Sequence, residues 1–315
     1  MYLYYTDQFE LPLPEGHRFP MRKYRMLRDR IVADPIHAAD LLFVPMAASV
    51  EQLCLAHDED YVVRVLGGTL TPHEIKRIGF PWSEAMVERS RRSSGATLAA
   101  ARTALEQAIS VNLAGGTHHA MRNAGEGYCV FNDAAVTIRT LQAEKVIRRA
   151  LVIDCDVHQG NGTADILGGE ANAFTFSIHG EKNFPIRKFP SHLDIDLPDG
   201  TQDEQYLVEL NQGLEVCRQS GPFDLMIYLA GADPFWDDRL GRLKLTKQGL
   251  ILRDQMVLGF AKVNSTPIAI AMAGGYARNI EDIVDIHAAT VRLASQYWSD
   301  WNRPAISWNS RGSAS

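Results

Sequence analysis

The feature that most constrains the fold is a regular alternation of short apolar runs with segments of helical character. Four of the apolar runs lie from residue 150 onward, at residues 150–153, 173–178, 225–230 and 268–272. Apolar strands that alternate with helices are typical of a parallel sheet covered on both faces. The pattern predicts an α/β fold. Because ligands of such sheets bind in the loops at the carboxyl ends of the strands, the chemistry is expected there.

The same alternation runs through most of the chain. We predict a further strand at residues 2–5 and helices at 83–111 (interrupted near Gly95), at 203–218, at 246–263 with Thr246 as N-cap, and at 279–297. No repeat, linker or shift in composition divides the 315 residues. One catalytic domain over residues 1–300 is therefore expected, followed by a disordered polar tail at 301–315.

Composition and charge exclude several classes of protein. The chain is 46% hydrophobic and 22% charged, which excludes disorder, and its net charge of −6 argues against a nucleic-acid binder. No apolar run reaches the roughly 18 residues of a membrane span, and the N-terminus does not resemble a signal peptide. Four scattered cysteines without a C-x-x-C motif fit a reducing cytoplasm. The densest basic stretch, residues 21–30, is interpreted as the solvated face of a helix.

Polar side chains follow three of the four later apolar runs. The first run continues into Asp154, Asp156 and His158, which point to one side because side chains alternate along an extended segment. The third run adds Asp233, which a neighbouring parallel strand would bring beside Asp156 and His158. A capped, hydrogen-bonded loop is the simpler interpretation. Two carboxylates and one imidazole with a fourth position left open are, however, typical of a catalytic zinc site, with Fe²⁺ as an alternative ion.

Two other loops could supply groups that move protons or donate hydrogen bonds. His118 and His119 are adjacent in a glycine-rich loop and could act as metal ligands or as acid/base groups. With three ligands already assigned, proton transfer is the better use of the pair, and Asp154 is a candidate to orient one imidazole. Tyr276 follows two glycines and could direct its hydroxyl at a developing oxyanion, although a packed aromatic residue is the default at such a turn.

Five motifs, in sequence order, make the chain resemble the histone deacetylase superfamily. They are Gly116-Thr117-His118-His119, Gly127-Tyr128-Cys129-Val130-Phe131-Asn132-Asp133, residues 154–162, Gly231-Ala232-Asp233 with Asp238-Arg239-Leu240-Gly241, and Gly274-Gly275-Tyr276. The His-Gln-Gly-Asn form at residues 158–161 resembles the class IV branch, and residues 16–21 and 56–62 are similar to prokaryotic members. The resemblance implies an arginase/deacetylase-like fold: a single three-layer α-β-α domain with a central, mainly parallel sheet of about eight strands.

The resemblance also implies roles for individual residues. Zinc would be held by Asp156, His158 and Asp233. Potassium would be held by Asp154, Asp156, His158 and Ser177. The substrate channel would be lined by Gly127, Tyr128, Phe184, Leu240, Gly274 and Gly275. His119 would be the general base and acid, and His118 would pair with Asp154. Tyr276 would bond the substrate carbonyl. Asn161 stands where an aspartate usually supports the base, so His119 is expected to be less basic than in class I enzymes.

The sequence therefore predicts a zinc-dependent amidohydrolase that removes an acetyl or longer acyl group from the ε-amine of lysine in a protein or peptide. A deacetylase of a small acetylated amine such as a polyamine and a long-chain fatty-acyl lysine deacylase are the alternatives of the same class. A catalytically silent acyl-lysine binding module and a two-metal, arginase-like hydrolase are the other two. The net charge of −6 would help to attract a cationic acyl-amine, and the oligomeric state stays open.

Overall fold

Eight parallel strands form one sheet in the computed structural model, which describes residues 1–302. The strands are β1 Tyr2–Tyr4, β2 Leu41–Phe43, β3 Ile109–Asn112, β4 Ala150–Asp154, β5 Ala173–Gly180, β6 Leu193–Leu197, β7 Leu225–Leu229 and β8 Ile268–Ala271. Their order across the sheet is β2-β1-β3-β8-β7-β4-β5-β6, and every pair of neighbours is parallel. The later apolar runs thus occupy the middle of the sheet, as buried parallel strands should.

Ten α-helices cover both faces of this sheet in the described part of the chain. They are α1 Lys23–Ala33, α2 Val50–Cys54, α3 Glu59–Gly67, α4 Pro72–Ile78, α5 Glu84–Gln107, α6 Asp133–Ala143, α7 Asn161–Leu167, α8 Asp203–Ser220, α9 Lys247–Val263 and α10 Ile280–Trp301. Helices α1, α8, α9 and α10 pack on one face, and α2 to α7 pack on the other. Within β4, Leu151 and Ile153 join the first core while Ala150 and Val152 join the second. The predicted three-layer α/β fold is confirmed.

The predicted helix at 83–111 is wrong in two respects. It does not break at Gly95, because this glycine lies within α5 and a Cβ there would stand 1.9 Å from the backbone oxygen of Met46. The glycine therefore allows a close approach of two segments rather than a bend. The helix also ends at Gln107, since Ala108 has a φ of 69° and turns the chain into β3.

Two predictions concern the ends of the chain. The basic stretch is the start of α1, but Lys23 is buried and its Nζ donates a hydrogen bond to the backbone oxygen of Ala273, 3.2 Å away. The interpretation as a fully solvated face is therefore wrong for Lys23. Of the predicted tail, Trp301 is the last residue of α10 and Asn302 caps it, while 303–315 lie outside the described residues. None of the helices in residues 1–302 combines the length and apolar character of a membrane span.

Candidate active site

Strands β4, β7 and β8 are neighbours in the sheet, so the loops that follow them meet at one edge. Asp154 at the end of β4 pairs in register with Leu229 of β7, and Leu229 pairs with Ala271 of β8. The chain then continues into three loops that carry the polar motifs. The parallel register therefore brings together side chains that are far apart in sequence, such as Asp156, Asp233 and Tyr276.

Asp156, His158 and Asp233 form a buried cluster at this edge. Each offers one ligand atom, and the three atoms lie within 4.8 Å of one another. The Nδ1 atom of His158 is 2.9 Å from Oδ1 of Asp156 and 3.3 Å from Oδ2 of Asp233. That Asp233 oxygen has no hydrogen-bond partner within the described residues. Burial, and next the charge of Asp156, raise the pKa of Asp233 to about 7. Two adjacent buried carboxylates with an orphaned oxygen fit a divalent cation.

A glycine beside the cluster allows the two carboxylates to approach the backbone. The amide of Gly274 donates a hydrogen bond of 2.8 Å to Oδ2 of Asp156. A Cβ at Gly274 would lie 2.0 Å from Oδ2 of Asp233, so no other residue fits. The amide of Val157 donates to the other Asp233 oxygen at 2.9 Å. Backbone amides therefore hold both carboxylates in position without neutralising them.

His118 and His119 lie beside this cluster with their ring centroids 4.2 Å apart, and both are buried. The Nδ1 of His118 is 2.6 Å from Oδ2 of Asp154. Burial opposes the charged form of His118, but Asp154 and Asp156 outweigh it and raise its pKa to about 9. Burial and the two neighbouring imidazoles hold the pKa of His119 well below its usual value. One imidazole of the pair is therefore held as a cation and the other as a neutral ring.

The tautomer of His119 follows from the hydrogen bonds of Asn161. The amide nitrogen of Asn161 donates to Oε2 of Glu126 at 3.1 Å, and a carboxylate can only accept. Oδ1 of Asn161 therefore faces Nδ1 of His119, 2.6 Å away, and Nδ1 must carry the hydrogen. This leaves Nε2 of His119 with a free lone pair. Arg77 in turn pairs with Glu126 at 3.2 Å. Neither Glu126 nor Arg77 could be assigned a role from the sequence.

Asn132 and Asp133, which begin α6, fasten the loop that carries the histidine pair. The Asp133 carboxylate accepts hydrogen bonds from the amides of Gly116 and Thr117, both at 2.8 Å. The Asn132 amide nitrogen donates to the backbone oxygens of His118 and Ala120 at 3.4 and 3.2 Å. Both residues belong to one of the recognised motifs, but their contacts could not be predicted from the sequence.

A cavity of about 570 Å³ leads from the surface to these side chains. Its walls are aromatic. The ring centroids of Phe184 and His119 are 4.9 Å apart, and those of Tyr128 and Tyr276 are 6.0 Å apart. Of the predicted channel residues, the cavity is lined by Gly127, Tyr128, Phe184, Leu240 and Gly274. Gly275 is not among the lining residues, because its Cβ position faces Ile283 and Ala232 in the core. The prediction for Gly275 is wrong.

Tyr276 closes the inner part of this cavity. Its amide donates to Oδ2 of Asp238 at 2.5 Å, and the same carboxylate accepts from the amides of Leu240 and Gly241 at 2.8 and 2.9 Å. Asp238 thus joins the β8 loop to the loop after β7. Burial raises the pKa of the Tyr276 hydroxyl well above its usual value, so this group stays protonated. It is therefore a neutral phenol that can donate a hydrogen bond.

Of the four residues predicted to bind potassium, Asp156 and His158 belong to the cluster itself. Asp154 and Ser177 are register partners in β4 and β5, and the Ser177 hydroxyl is 2.9 Å from Nδ1 of His179. Within residues 1–302, the group of side chains placed to hold a metal is Asp156, His158 and Asp233. The potassium site stays a prediction.

Residues 17–291 of the chain match the histone deacetylase domain. The chain belongs to the histone deacetylase family. It is a deacetylase, and therefore a hydrolase, as the motifs predicted.

Relatives of this deacetylase occur in bacteria and eukaryotes. It is 41% identical to an uncharacterised protein of Picosynechococcus, over 92% of this chain and 97% of that protein. It is 28% identical to histone deacetylase 2 of Arabidopsis thaliana, over 85% and 72% of the two chains. It is 31% identical to the acetoin utilization protein AcuC of Bacillus subtilis, over 72% of this chain and 65% of that protein. The crystal structure of the HDA15 HD domain has the same fold as this chain, with a TM-score of 0.79 and 19% sequence identity. The match covers 93% of this chain and 90% of that one.

Proposed function

We propose that this deacetylase hydrolyses the amide between an acyl group and the ε-amine of lysine in a protein or peptide. The observation that carries the proposal is the aromatic cavity between Tyr128 and Phe184, which ends at His119 and Tyr276. Aromatic walls suit the apolar stem of an acylated lysine, and the polar groups at the bottom suit its amide. The class IV-like form of residues 158–161 belongs to the same proposal.

Asp156, His158 and Asp233 would hold a divalent ion, for which zinc is the candidate and Fe²⁺ the alternative. When bound, such an ion supplies a Lewis acid that polarises the amide carbonyl and lowers the pKa of water toward about 7. The oxygen-rich ligand set and the orphaned Asp233 oxygen support this assignment. Asp154, Asp156, His158 and Ser177 stay the proposed potassium residues.

His119 would act as the general base and then as the general acid. Its Nε2 lone pair can take the proton of the attacking water, while Nδ1 keeps its hydrogen bond to Asn161. The proton on Nε2 can then pass to the leaving amine, which releases a free lysine side chain and a carboxylic acid. His118, paired with Asp154, would contribute a fixed positive charge beside the reacting carbonyl.

Tyr276 would stabilise the oxyanion that forms when water attacks the carbonyl. Its hydroxyl remains protonated, so it can donate a hydrogen bond to the developing negative charge. Asp238 fixes the backbone of Tyr276 and so limits the movement of the ring. The ring of Tyr128, whose centroid lies 6.0 Å from that of Tyr276, further restricts the movement of the Tyr276 ring.

A substrate panel with the zinc-loaded protein tests the proposal. The panel contains an acetyl-lysine peptide, a myristoyl-lysine peptide, acetyl-lysine itself and N-acetylputrescine, with His119→Ala as the inactive control. We expect release of acid from the peptides that His119→Ala abolishes. Turnover of N-acetylputrescine alone would instead support a small-amine deacetylase, and turnover of the myristoyl peptide alone a long-chain deacylase. Absence of turnover on every member would contradict the proposal.

A further inference from the structure

The mouth of the cavity is basic, although the chain as a whole is acidic. Four of the lining residues that reach the surface are basic: Lys76, Arg77, Lys182 and Arg242. The acidic lining residue outside the buried cluster is Glu126. The net charge of −6 therefore lies elsewhere on the molecule and does not describe the field that a substrate meets.

Two of the four cations are already compensated. Arg77 pairs with Glu126 at 3.2 Å, and Arg242 pairs with Asp199 at 3.0 Å. Lys76 and Lys182 are exposed, and neither has a carboxylate within 4.0 Å in the described part of the chain. Glu181, next to Lys182 in sequence, is exposed but does not line the cavity. Two uncompensated positive charges thus remain at the mouth.

The two lysines stand beside the aromatic walls, Lys76 in α4 and Lys182 in the loop after β5. Lys76 precedes Ile78, whose backbone oxygen accepts a 2.7 Å hydrogen bond from the amide of Tyr128. Lys182 lies two residues before Phe184, the opposite wall. A substrate whose stem passes between Tyr128 and Phe184 therefore carries its remaining groups past both ammonium groups. This geometry makes the lysines part of the entrance rather than distant surface charges.

We infer that the preferred substrate is an acyl-lysine set in an acidic stretch of peptide, and that cationic acyl-amines such as acetylated polyamines are disfavoured. This inference rests on the proposed function. An extended peptide advances at most about 3.6 Å per residue, so carboxylates within about three positions of the acyl-lysine stay within about 10 Å of the mouth. That distance is about one Debye length at 0.1 M ionic strength, so the charges interact. The expectation from net charge, a cationic substrate, is thereby reversed.

Three peptides that differ only in the residues flanking one acetyl-lysine test the inference: acidic, neutral and basic. For the zinc-loaded enzyme at low salt we expect kcat/KM to be about 3- to 10-fold higher for the acidic peptide than for the basic one. The difference should lie in KM, because rim charges act on association and leave the reacting groups unchanged. It should shrink as NaCl is added, whereas kcat/KM of the neutral peptide should change little.

Charge reversal at the mouth is the matched structural test. In the double variant Lys76→Glu, Lys182→Glu the order of the acidic and basic peptides should invert, and N-acetylputrescine should become a better substrate. The control is Lys145→Glu, Lys262→Glu, which changes the net charge equally at the opposite edge of the sheet. Lys145 lies in the loop before β4, and Lys262 lies in the last turn of α9, before β8. The control should keep the wild-type order.

Three outcomes would overturn the inference, and they are distinguishable. Equal kcat/KM for all three peptides, or an unchanged order in the mouth variant, would remove the role of the lysines and leave the deacylase proposal intact. No turnover of any peptide by the wild-type enzyme would remove the proposed function and the inference together. Equal effects of both double variants would assign the preference to net charge instead of the mouth.

Discussion

At the scale of single residues, the Tyr276 hydroxyl offers the most direct test of the mechanism. Tyr276→Phe removes the proposed oxyanion donor and keeps the ring that packs on Tyr128. We expect kcat to fall by about 10²- to 10³-fold, with little change in thermal stability. The control is Tyr297→Phe, which removes an exposed hydroxyl bonded to the backbone oxygen of Gln255. An unchanged kcat in Tyr276→Phe would exclude the hydroxyl from the reaction.

Glu126 offers a second test at this scale, because it fixes the amide of Asn161. Glu126→Gln keeps an acceptor for the Asn161 nitrogen, whereas Glu126→Leu removes it and lets the amide turn over. A turned amide would present its NH₂ group to Nδ1–H of His119. We expect kcat to fall about 10-fold or more in Glu126→Leu and far less in Glu126→Gln, with KM changed little in both. Equal losses in the two variants would show that the charge matters and the orientation does not.

The chemistry-bearing residues could be predicted because strand alternation and strand ends restrict where polar groups can point. Asp156, His158 and Asp233 were expected together on that basis, and they lie within 4.8 Å. The supporting contacts of Glu126 and Asp133 could not be predicted. Their partners are 35 and 16 or 17 residues away, across loops whose path no periodicity describes. Gly275 was misplaced because a motif gives the order of residues but not the side to which the backbone turns.

At the scale of elements, burial decided which strands could be recognised. The central strands β4, β7 and β8 are buried along their whole length and are continuous apolar runs in the sequence. The edge strand β6 alternates apolar and acidic residues over five positions, and β2 has three residues, so neither gives a long apolar run. Strand β3 was hidden because it follows α5 after a single residue, Ala108.

His57 connects the turn between α2 and α3 to the loop before α6, and its burial should make that connection sensitive to acid. Nδ1 donates to the backbone oxygen of Met121, and Nε2 accepts from the amide of Asn132, both at 2.9 Å. Burial lowers its pKa from 6.5 to about 4. Between these values the unfolded chain binds more protons, so stability is lost as the pH falls through this window. The loss approaches about 3 kcal/mol near pH 4.

Urea unfolding of wild type and His57→Gln at pH 7.5 and pH 4.5 measures this effect. Glutamine can donate to Met121 and accept from Asn132 but does not titrate, so the variant should lose less stability between the two pH values than wild type. His73→Gln, at an exposed histidine in α4, should behave like wild type. Equal pH dependence in His57→Gln and wild type would contradict the assignment.

At the scale of the whole molecule, the proposed ion at the buried cluster would couple folding to metal binding. Without a cation, the carboxylates of Asp156 and Asp233 lie together in the interior, and burial with their mutual repulsion raises the pKa of Asp233 to about 7. A bound ion removes this cost and stabilises the folded state by mass action, by about 4 kcal/mol when its free concentration is 1,000 times its Kd. A chelator should therefore lower the Tm of wild type, and zinc should restore it.

Asp233→Asn separates the cost of the buried charge from the stabilisation by a bound ion. The substitution removes a negative charge and keeps the Oδ1 acceptor for the amide of Val157. In chelator its Tm should equal or exceed that of chelated wild type, since one carboxylate now lies alone in the interior. Zinc should raise the Tm of wild type far more than that of the variant, and the variant should be inactive. Asp29→Asn, which neutralises an exposed carboxylate, should respond to zinc as wild type does. A variant with the wild-type zinc response would show that Asp233 holds no ion, and the cluster would then need another explanation for its orphaned oxygen.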